Sequence, residues 1–493
     1  MYSGSGYSDW EIGDVTMIIE NGVYHLFHLI IPNHDYIAHA VSTDGISWKR
    51  VNNALFVGDP GEWDDDMLWT MHVCKLGEKY RMFYTGLRRQ DKGVATRIGI
   101  AESDDLLRWT KVEHPGFPLG SEEGEFYESL SNNPRNWLSF RDPFYMEVDN
   151  ESFLLLCARV GKGPVSRRGC VGLFKWSGER YLALPPLMHP MAYDDVECPC
   201  GFELNGRYYL IGSIREDVKI RYWFADSFMG EYHSFHADVL MPQGNYAARI
   251  LKDEDHLLIY NFFYTHGQVN SLRVFPPPKE LATDEKGRLV LKSYYRWNEM
   301  AAKPVALDGL GHPSPLFENP TNQLIYEDGK WTCGARSGYE IFWWSRPSAN
   351  FIWEGRLNVE GMGKFGLTVC TDKEANGYYI SFDIINGLVQ FRAWGYNAND
   401  QKKNFVFENI QSNTIVVPHD RSFHFRLIIF GNYVELSVDG VVKITLIDYQ
   451  WSCSGFGLYS ASSVISLEES TIRSLPAVID EYASQEKAEK KAV

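Results

Sequence analysis

No uninterrupted apolar run of membrane-spanning length occurs in this 493-residue chain, and its opening Met1-Tyr-Ser-Gly-Ser-Gly has no basic stretch leading into an apolar one. The expectation is a soluble, cytoplasmic protein with no membrane partner. Positive charge is also in short supply. Lys and Arg number 48 against 64 Asp and Glu, for a formal charge of -16, whereas nucleic acids and anionic membranes reward a basic surface. Cysteine is scattered: of eight, only Cys198 and Cys200 lie close together, and Cys198-Pro199-Cys200 has the spacing of neither a zinc knuckle nor a redox Cys-x-x-Cys. They read as buried free thiols suited to a reducing compartment. Long helical periodicity is missing up to about Trp297.

What the chain has instead is aromatic residues, 14% of the total with 15 Trp and 28 Tyr, the residues that favour strands and that stack on sugar rings. Its length predicts two domains of unequal size. Short apolar runs recur in the first: Tyr24-His-Leu-Phe-His, Tyr80-Arg-Met-Phe-Tyr, Phe153-Leu-Leu-Leu-Cys, Tyr208-Tyr-Leu-Ile-Gly and His256-Leu-Leu-Ile-Tyr. Two of the turns that follow are near copies, Ser42-Thr-Asp-Gly-Ile-Ser-Trp48 and Ser103-Asp-Asp-Leu-Leu-Arg-Trp109. Repeats of this length, about four short strands each, predict an all-β fold: a five-bladed β-propeller over residues 1–297, with an irregular β-sandwich as the alternative. Residues 298–350, interrupted by Pro304, Pro313, Pro315, Pro320 and Pro347, read as a connector and the start of a second domain. Residues 351–475 alternate apolar and polar with Gly and Asn turns, as an antiparallel β-sandwich does, and 476–493 is a charged tail.

Three acids stand out. Asp142 lies in Ser139-Phe140-Arg141-Asp142-Pro143-Phe144, where Arg141 is expected to lower its pKa and Pro143 to press it into an extended conformation. An exposed turn with a surface ion pair is the plainer reading. Asp14 stands at the mouth of the first β-run, where burial gains it nothing without a task, and Gly13 before it leaves room for a ligand. Glu197, in Asp194-Asp195-Val196-Glu197-Cys198-Pro199, has acidic and apolar neighbours that raise a carboxyl pKa toward that of a proton donor. A solvated strand end and a surface acidic loop are the alternatives for these two. Converging on a propeller axis, the three form a set suited to breaking glycosidic bonds through an oxocarbenium-like transition state.

The chain resembles glycoside hydrolase family 32, the invertases, fructanases and related β-fructofuranosidases. Gly13-Asp14-Val15-Thr16-Met17 ahead of Tyr24-His25-Leu26-Phe27 is similar to the family's Asn-Asp-Pro-Asn-Gly block and the strand after it, while Phe140-Arg141-Asp142-Pro143 and Glu197-Cys198-Pro199 reproduce two further blocks. Ala38-His39-Ala40-Val41-Ser42-Thr43-Asp44, Phe83-Tyr84-Thr85-Gly86 and Pro278-Lys279-Glu280-Leu281 extend the likeness. The resemblance implies a five-bladed propeller followed by a sandwich, with Asp14 as nucleophile, Glu197 as acid/base, and Asp142 with Arg141 gripping sugar hydroxyls. It implies a retaining mechanism through a fructosyl-enzyme intermediate, no cofactor, no metal, and a fructofuranoside as the partner.

The first block departs from the family: Gly13 replaces its Asn, and Val15-Thr16-Met17 replaces its Pro-Asn-Gly. Asp9 and Glu11 are alternatives for the nucleophile. Trp63 and Trp69 flank the acidic run Asp64-Asp65-Asp66; they are candidates for sugar contact, with Tyr246 and Arg141, or for packing between blades. The acidic run is better read as a solvated loop than as a metal site. His39, His72 and His266 read as structural, and Arg159, Arg167 and Arg168 as a salt-bridged surface rather than a phosphate site. The function expected is hydrolysis of sucrose-like sugars or fructo-oligosaccharides. An arabinofuranosidase-like enzyme, a fructosyltransferase and a non-catalytic carbohydrate-binding propeller are the alternatives.

Overall fold

The computed structural model describes residues 2, 11–121, 126–236, 238–263, 274–396, 405–448, 450–451 and 453–477. Asp9, His266 and nearly all of the charged tail lie outside these residues. The chain forms two compact units that divide between Leu289 and Val290.

Five antiparallel sheets follow one another in the first unit, each ordered sequentially from its first strand. The first strands are Glu11–Glu20, Met67–Leu76, Arg141–Val148, Glu197–Leu204 and Asn245–Asp253. All five apolar repeats fall in the second strands: Val23–Ile31, Lys79–Leu87, Glu151–Arg159, Arg207–Ile214 and His256–Phe263. Flanked by a blade on each face, such a strand is buried on both sides, so it reads as a continuous apolar run rather than an alternating one. The two near-copy turns fold alike. Asp44 Oδ1 accepts from the backbone N–H of Ile46 and Ser47, and Asp105 Oδ1 from Leu107 and Arg108, each helped by the Ser two positions earlier. Side chains between blades form continuous cores, such as Phe27, Leu68, Met71 and Tyr84 between the first and second. First and fifth blades join through Tyr24, whose hydroxyl donates to Asp253.

Each first strand carries a β-bulge at its starting end: between Ile12 and Val15, Trp69 and Met71, Arg141 and Phe144, Glu197 and Cys200, and Tyr246 and Arg249. A bulge inserts one extra residue, breaks the alternation of side chains and re-aims them. Five such breaks turn short pieces of five strands toward shared ground.

The second unit is one hydrogen-bonded system of 13 strands wrapped as a sandwich. Gly455–Ser474 runs through it, pairing along one side with Lys330–Ser345 and along the other with Lys364–Thr371 and then Phe351–Glu360. The segment expected as a connector and the start of the second domain supplies a 16-residue strand, Lys330–Ser345, with its hairpin partner Asn322–Glu327. Four of the prolines that suggested a linker lie outside the strands, and Pro315 ends the two-residue strand Ser314–Pro315 that pairs with Trp343 and Phe342. Trp353, fully buried, packs edge-on against Phe425 and Phe456 at 5.0 and 4.9 Å between ring centres.

Candidate active site

The bulges of the first unit assemble a pocket of about 340 Å³, lined by Asp14, Trp69, Thr70, Arg141, Asp142 and Glu197 among others. That volume falls within the roughly 300–1,000 Å³ of small-ligand sites. Asp142 and Cys198 both have left-handed backbone, with φ of 60° and 49°. The extended conformation expected at Asp142 is not found. The bulge demands the uncommon region even before Pro143, and the same holds for Cys198 before Pro199; such conformations persist where surrounding structure holds them.

Hydrogen bonds then tie the blades together. Thr70 donates its hydroxyl to Asp14 Oδ2, and the Cys198 thiol donates to the same oxygen at 3.6 Å. Asp142 Oδ2 accepts from the Cys198 backbone N–H at 3.0 Å, and Thr85 Oγ1 accepts from the Asp142 N–H at 3.2 Å. Glu197 is held on both oxygens: Arg141 Nη2 donates to Oε1 at 2.6 Å, and the Tyr246 hydroxyl donates to Oε2. The same Arg141 nitrogen lies 3.1 Å from Asp195 Oδ2, and Arg141 Nε lies 3.7 Å from Asp142 Oδ2. Arg249, fully buried, donates to the carbonyls of Cys198 and Pro199 at 2.8 Å each and so braces the bulge that presents Glu197.

Burial pushes all three carboxyls above the ordinary carboxylate range. At Asp14 the donation from Thr70 opposes burial, while Glu197 adds to it. At Asp142 burial and the neighbouring Asp14 outweigh Arg141, so the lowered value expected from the sequence gives way to a raised one. At Glu197 burial exceeds the pull of Arg141, and Asp142 adds a further push upward. Asp195 goes the other way. Burial raises it, but Arg141 and Arg135, with donation from Ser139, hold it below the usual range.

Trp69 lines the pocket as expected, and Tyr246 reaches it through Glu197. Trp63 does not belong to it. Its indole stacks on Tyr84, 5.6 Å between ring centres, and covers Gly86 and Gly99, where any Cβ would strike it at 2.5 and 2.4 Å. Two bare glycines on adjacent strands make a seat that a large ring fills better than solvent does. Gly13 likewise leaves no space for a ligand, because a Cβ there would meet Leu29 at 2.8 Å. Asp64 is buried, with Lys111 Nζ at 2.7 Å and the Tyr84 hydroxyl at 2.9 Å, so the acidic run is not wholly a solvated loop. Of the arginines set aside, Arg159 is fully buried and pairs with Glu128 and Asp194, while Arg168 pairs with Glu128.

Residues the sequence reading passed over are Thr70, Asp195, Arg215, Trp137 and Arg249. Asp195 stands two positions before Glu197, and the alternation of an extended chain could have placed both on one side. Arg215, half-exposed, brings Nη1 to 3.6 Å from Glu197 Oε1. Atoms of Asp14, Asp142 and Cys198 lie within 4.8 Å of one another, a grouping that could hold a cation. Burial pushes the Cys198 thiol well above its ordinary range, which disfavours the thiolate a soft metal needs.

The family model described as glycosyl hydrolases family 32 N-terminal domain matches residues 14–261. A fructan beta-fructosidase of Streptococcus mutans is 24% identical over 223 residues, which span 44% of this chain and 15% of that protein. Among solved structures, the exo-inulinase from Aspergillus awamori superposes with a TM-score of 0.68 at 13% identity, over 95% of this chain and 96% of that one. The sucrose-6-phosphate hydrolase from Lactobacillus gasseri gives 0.67 at 14% identity, over 95% and 91%. At such identities these superpositions speak for the fold.

Proposed function

The chain belongs to glycosyl hydrolases family 32, and from that premise we infer that it is a retaining glycosidase cleaving β-fructofuranosidic bonds in sucrose-like sugars or fructo-oligosaccharides. The observation that carries this reading is Glu197, held on both oxygens by Arg141 and Tyr246 in a pocket that also contains the Asp14 carboxyl. Three close carboxyls repel one another, so one keeps a proton after its neighbours ionise. In this reading that proton sits on Glu197.

Asp14 attacks the anomeric carbon of the fructosyl unit as Glu197 gives its proton to the leaving oxygen, and the glycosidic C–O bond breaks as the ester to Asp14 forms. Glu197, now a carboxylate, takes a proton from water, whose oxygen displaces Asp14 and restores the configuration. Asp142 and Arg141 grip hydroxyls, and the Asp142 carboxylate steadies the positive charge that grows on the ring. Thr70 and Cys198 hold one Asp14 oxygen by donation and leave the other for attack. Val15, Thr16 and Met17 are buried in the strand here and contribute no polar group to the pocket. Sugar selection then falls to Trp69, Arg141, Asp142 and the pocket rim.

The test is to incubate the purified protein with sucrose, 1-kestose, levan and an aryl arabinofuranoside, with Asp14→Asn as control, and to follow released sugars and their initial anomeric form by NMR. Fructose released with retained configuration, and absent from the control, is the expected result. Arabinose as the product, or inverted fructose, would overturn it. Transfer of fructose to a second sugar would mark a transferase, since a hydroxyl and water compete for the same intermediate.

A further inference from the structure

On the second unit, strands Leu388–Tyr396 and Phe405–Thr414 pair as the outermost two of the main strand order. Alternation buries Val389, Phe391 and Ala393 and turns Gln390, Arg392, Trp394 and Tyr396 outward. Opposite them on the second strand stand Ser412, Asn409, Phe407 and Phe405. One half of this outer face is thus wholly aromatic and the other half polar.

The four rings are bare: Trp394 is 44% exposed, Tyr396 57%, Phe405 46% and Phe407 65%. Outward aromatics further into the sheet are not, since Tyr379 is 8% and Tyr459 4% exposed beneath their neighbours. The bare rings also pack on one another. Trp394 meets Phe405 and Phe407 edge to face, with centres 5.4 and 4.8 Å apart, and Tyr396 meets Phe405 at 5.0 Å. Rings fixed this way lose little rotamer freedom when something settles on them. Beside them Arg392 Nη2 donates to Gln390 at 2.9 Å, while its buried Nε has no protein partner among the described residues. Asn409 donates to Ser412 at 2.8 Å.

We propose that this outer face is an accessory binding site for a neutral polysaccharide chain, with Trp394, Tyr396, Phe405 and Phe407 under the sugar rings and Arg392 and Asn409 reaching their hydroxyls. The choice of a fructan as that chain rests on the function proposed above. A sugar ring has an apolar C–H face and a rim of hydroxyls, and an aromatic shelf beside planar hydrogen-bonding groups matches both. A stable protein interface takes roughly 800 Å² and roughly 20–30 residues from each partner, whereas this face offers the outward residues of two strands alone.

The experiment uses the full chain carrying Asp14→Asn, so that polymer is not consumed, in native gels containing levan or inulin. Retarded migration is expected, weakened at least tenfold by adding Trp394→Ala and Phe407→Ala, and weakened also by Arg392→Ala. In the active background the Trp394→Ala/Phe407→Ala pair should hydrolyse sucrose at the parent rate, which also reports that it is folded. Equal retardation with and without these substitutions, or no retardation by any polymer, would overturn the proposal. So would a dimer in sedimentation that the same pair converts to monomer, which would assign the face to a second copy of the chain. Retardation by mannan but not by levan, together with no fructose release from the active protein, would uphold the surface while removing the fructoside chemistry.

Discussion

Arg141 of the third blade donates to Glu197 of the fourth across 2.6 Å, and Asp195, two positions before Glu197, faces the same guanidinium at 3.1 Å. One cation therefore serves a carboxyl proposed to give up a proton and another that is held ionised. The two acids differ in what surrounds them. Asp195 also has Arg135 and the Ser139 hydroxyl, whereas Glu197 has Asp142 nearby and a phenol that donates to it.

Replacing Asp14 with Asn should lower turnover on the order of 10⁶-fold, the scale seen when a nucleophile is removed. It should also stabilise the protein. The Asp14 carboxyl titrates above its unfolded value because burial disfavours its charge, so it favours folding below the unfolded pKa and opposes folding once ionised near neutrality. Differential scanning calorimetry at neutral pH should show a higher Tm, by the equivalent of about 1 kcal/mol.

Tyr246→Phe removes an O–H donated to Glu197 Oε2. Burial dominates the raised pKa of that carboxyl, and Tyr246 opposes the shift together with Arg141. Without the phenol the carboxyl should hold its proton to higher pH. The basic limb of the kcat/KM profile should move upward; an unmoved or lowered limb would contradict this assignment.

Asp195→Asn leaves Arg141 and Arg135 short of a buried counter-charge and should cost about 3 kcal/mol of stability, read from urea denaturation. The sign with pH follows from the lowered native value. The stabilisation is present above the unfolded pKa of 3.8 and fades as pH falls through the native one. The two proteins should therefore converge in stability at acid pH.

Trp63→Ala and Trp69→Ala should behave differently. Trp63 fills the seat over Gly86 and Gly99, so its loss should destabilise the second blade by about 3 kcal/mol while KM stays close to the parent value. Trp69 lines the pocket, and its loss should raise KM. Denaturation midpoints and initial rates on sucrose separate the two.

The repeats could be read from the chain because a strand with a blade on each face must be apolar along its length, and that pattern is local. The near-copy turns carried the same information in Ser and Asp residues that bond their own backbone. The prolines of 298–350 suggested a connector and the start of the second domain, and the strand-forming run Lys330–Ser345 lies between them and contains none. The acids could be found as candidates from their flanking Pro, Arg and Cys residues. Trp63 and Trp69 could not be told apart, since both precede a short polar residue and both suit a sugar or a core.

By itself the sequence determined the all-β character, the five-fold recurrence and the residue types available for acid chemistry, because periodicity and turn chemistry act over a few residues. Tertiary structure decided which side chains share the pocket, that Asp142 and Cys198 take left-handed backbone, that burial outweighs Arg141 at Asp142, and that Asp195 shares the guanidinium with Glu197. Those outcomes depend on bulges and contacts between blades far apart in the chain. Closure brings such groups together, and their charges then respond to burial and to one another.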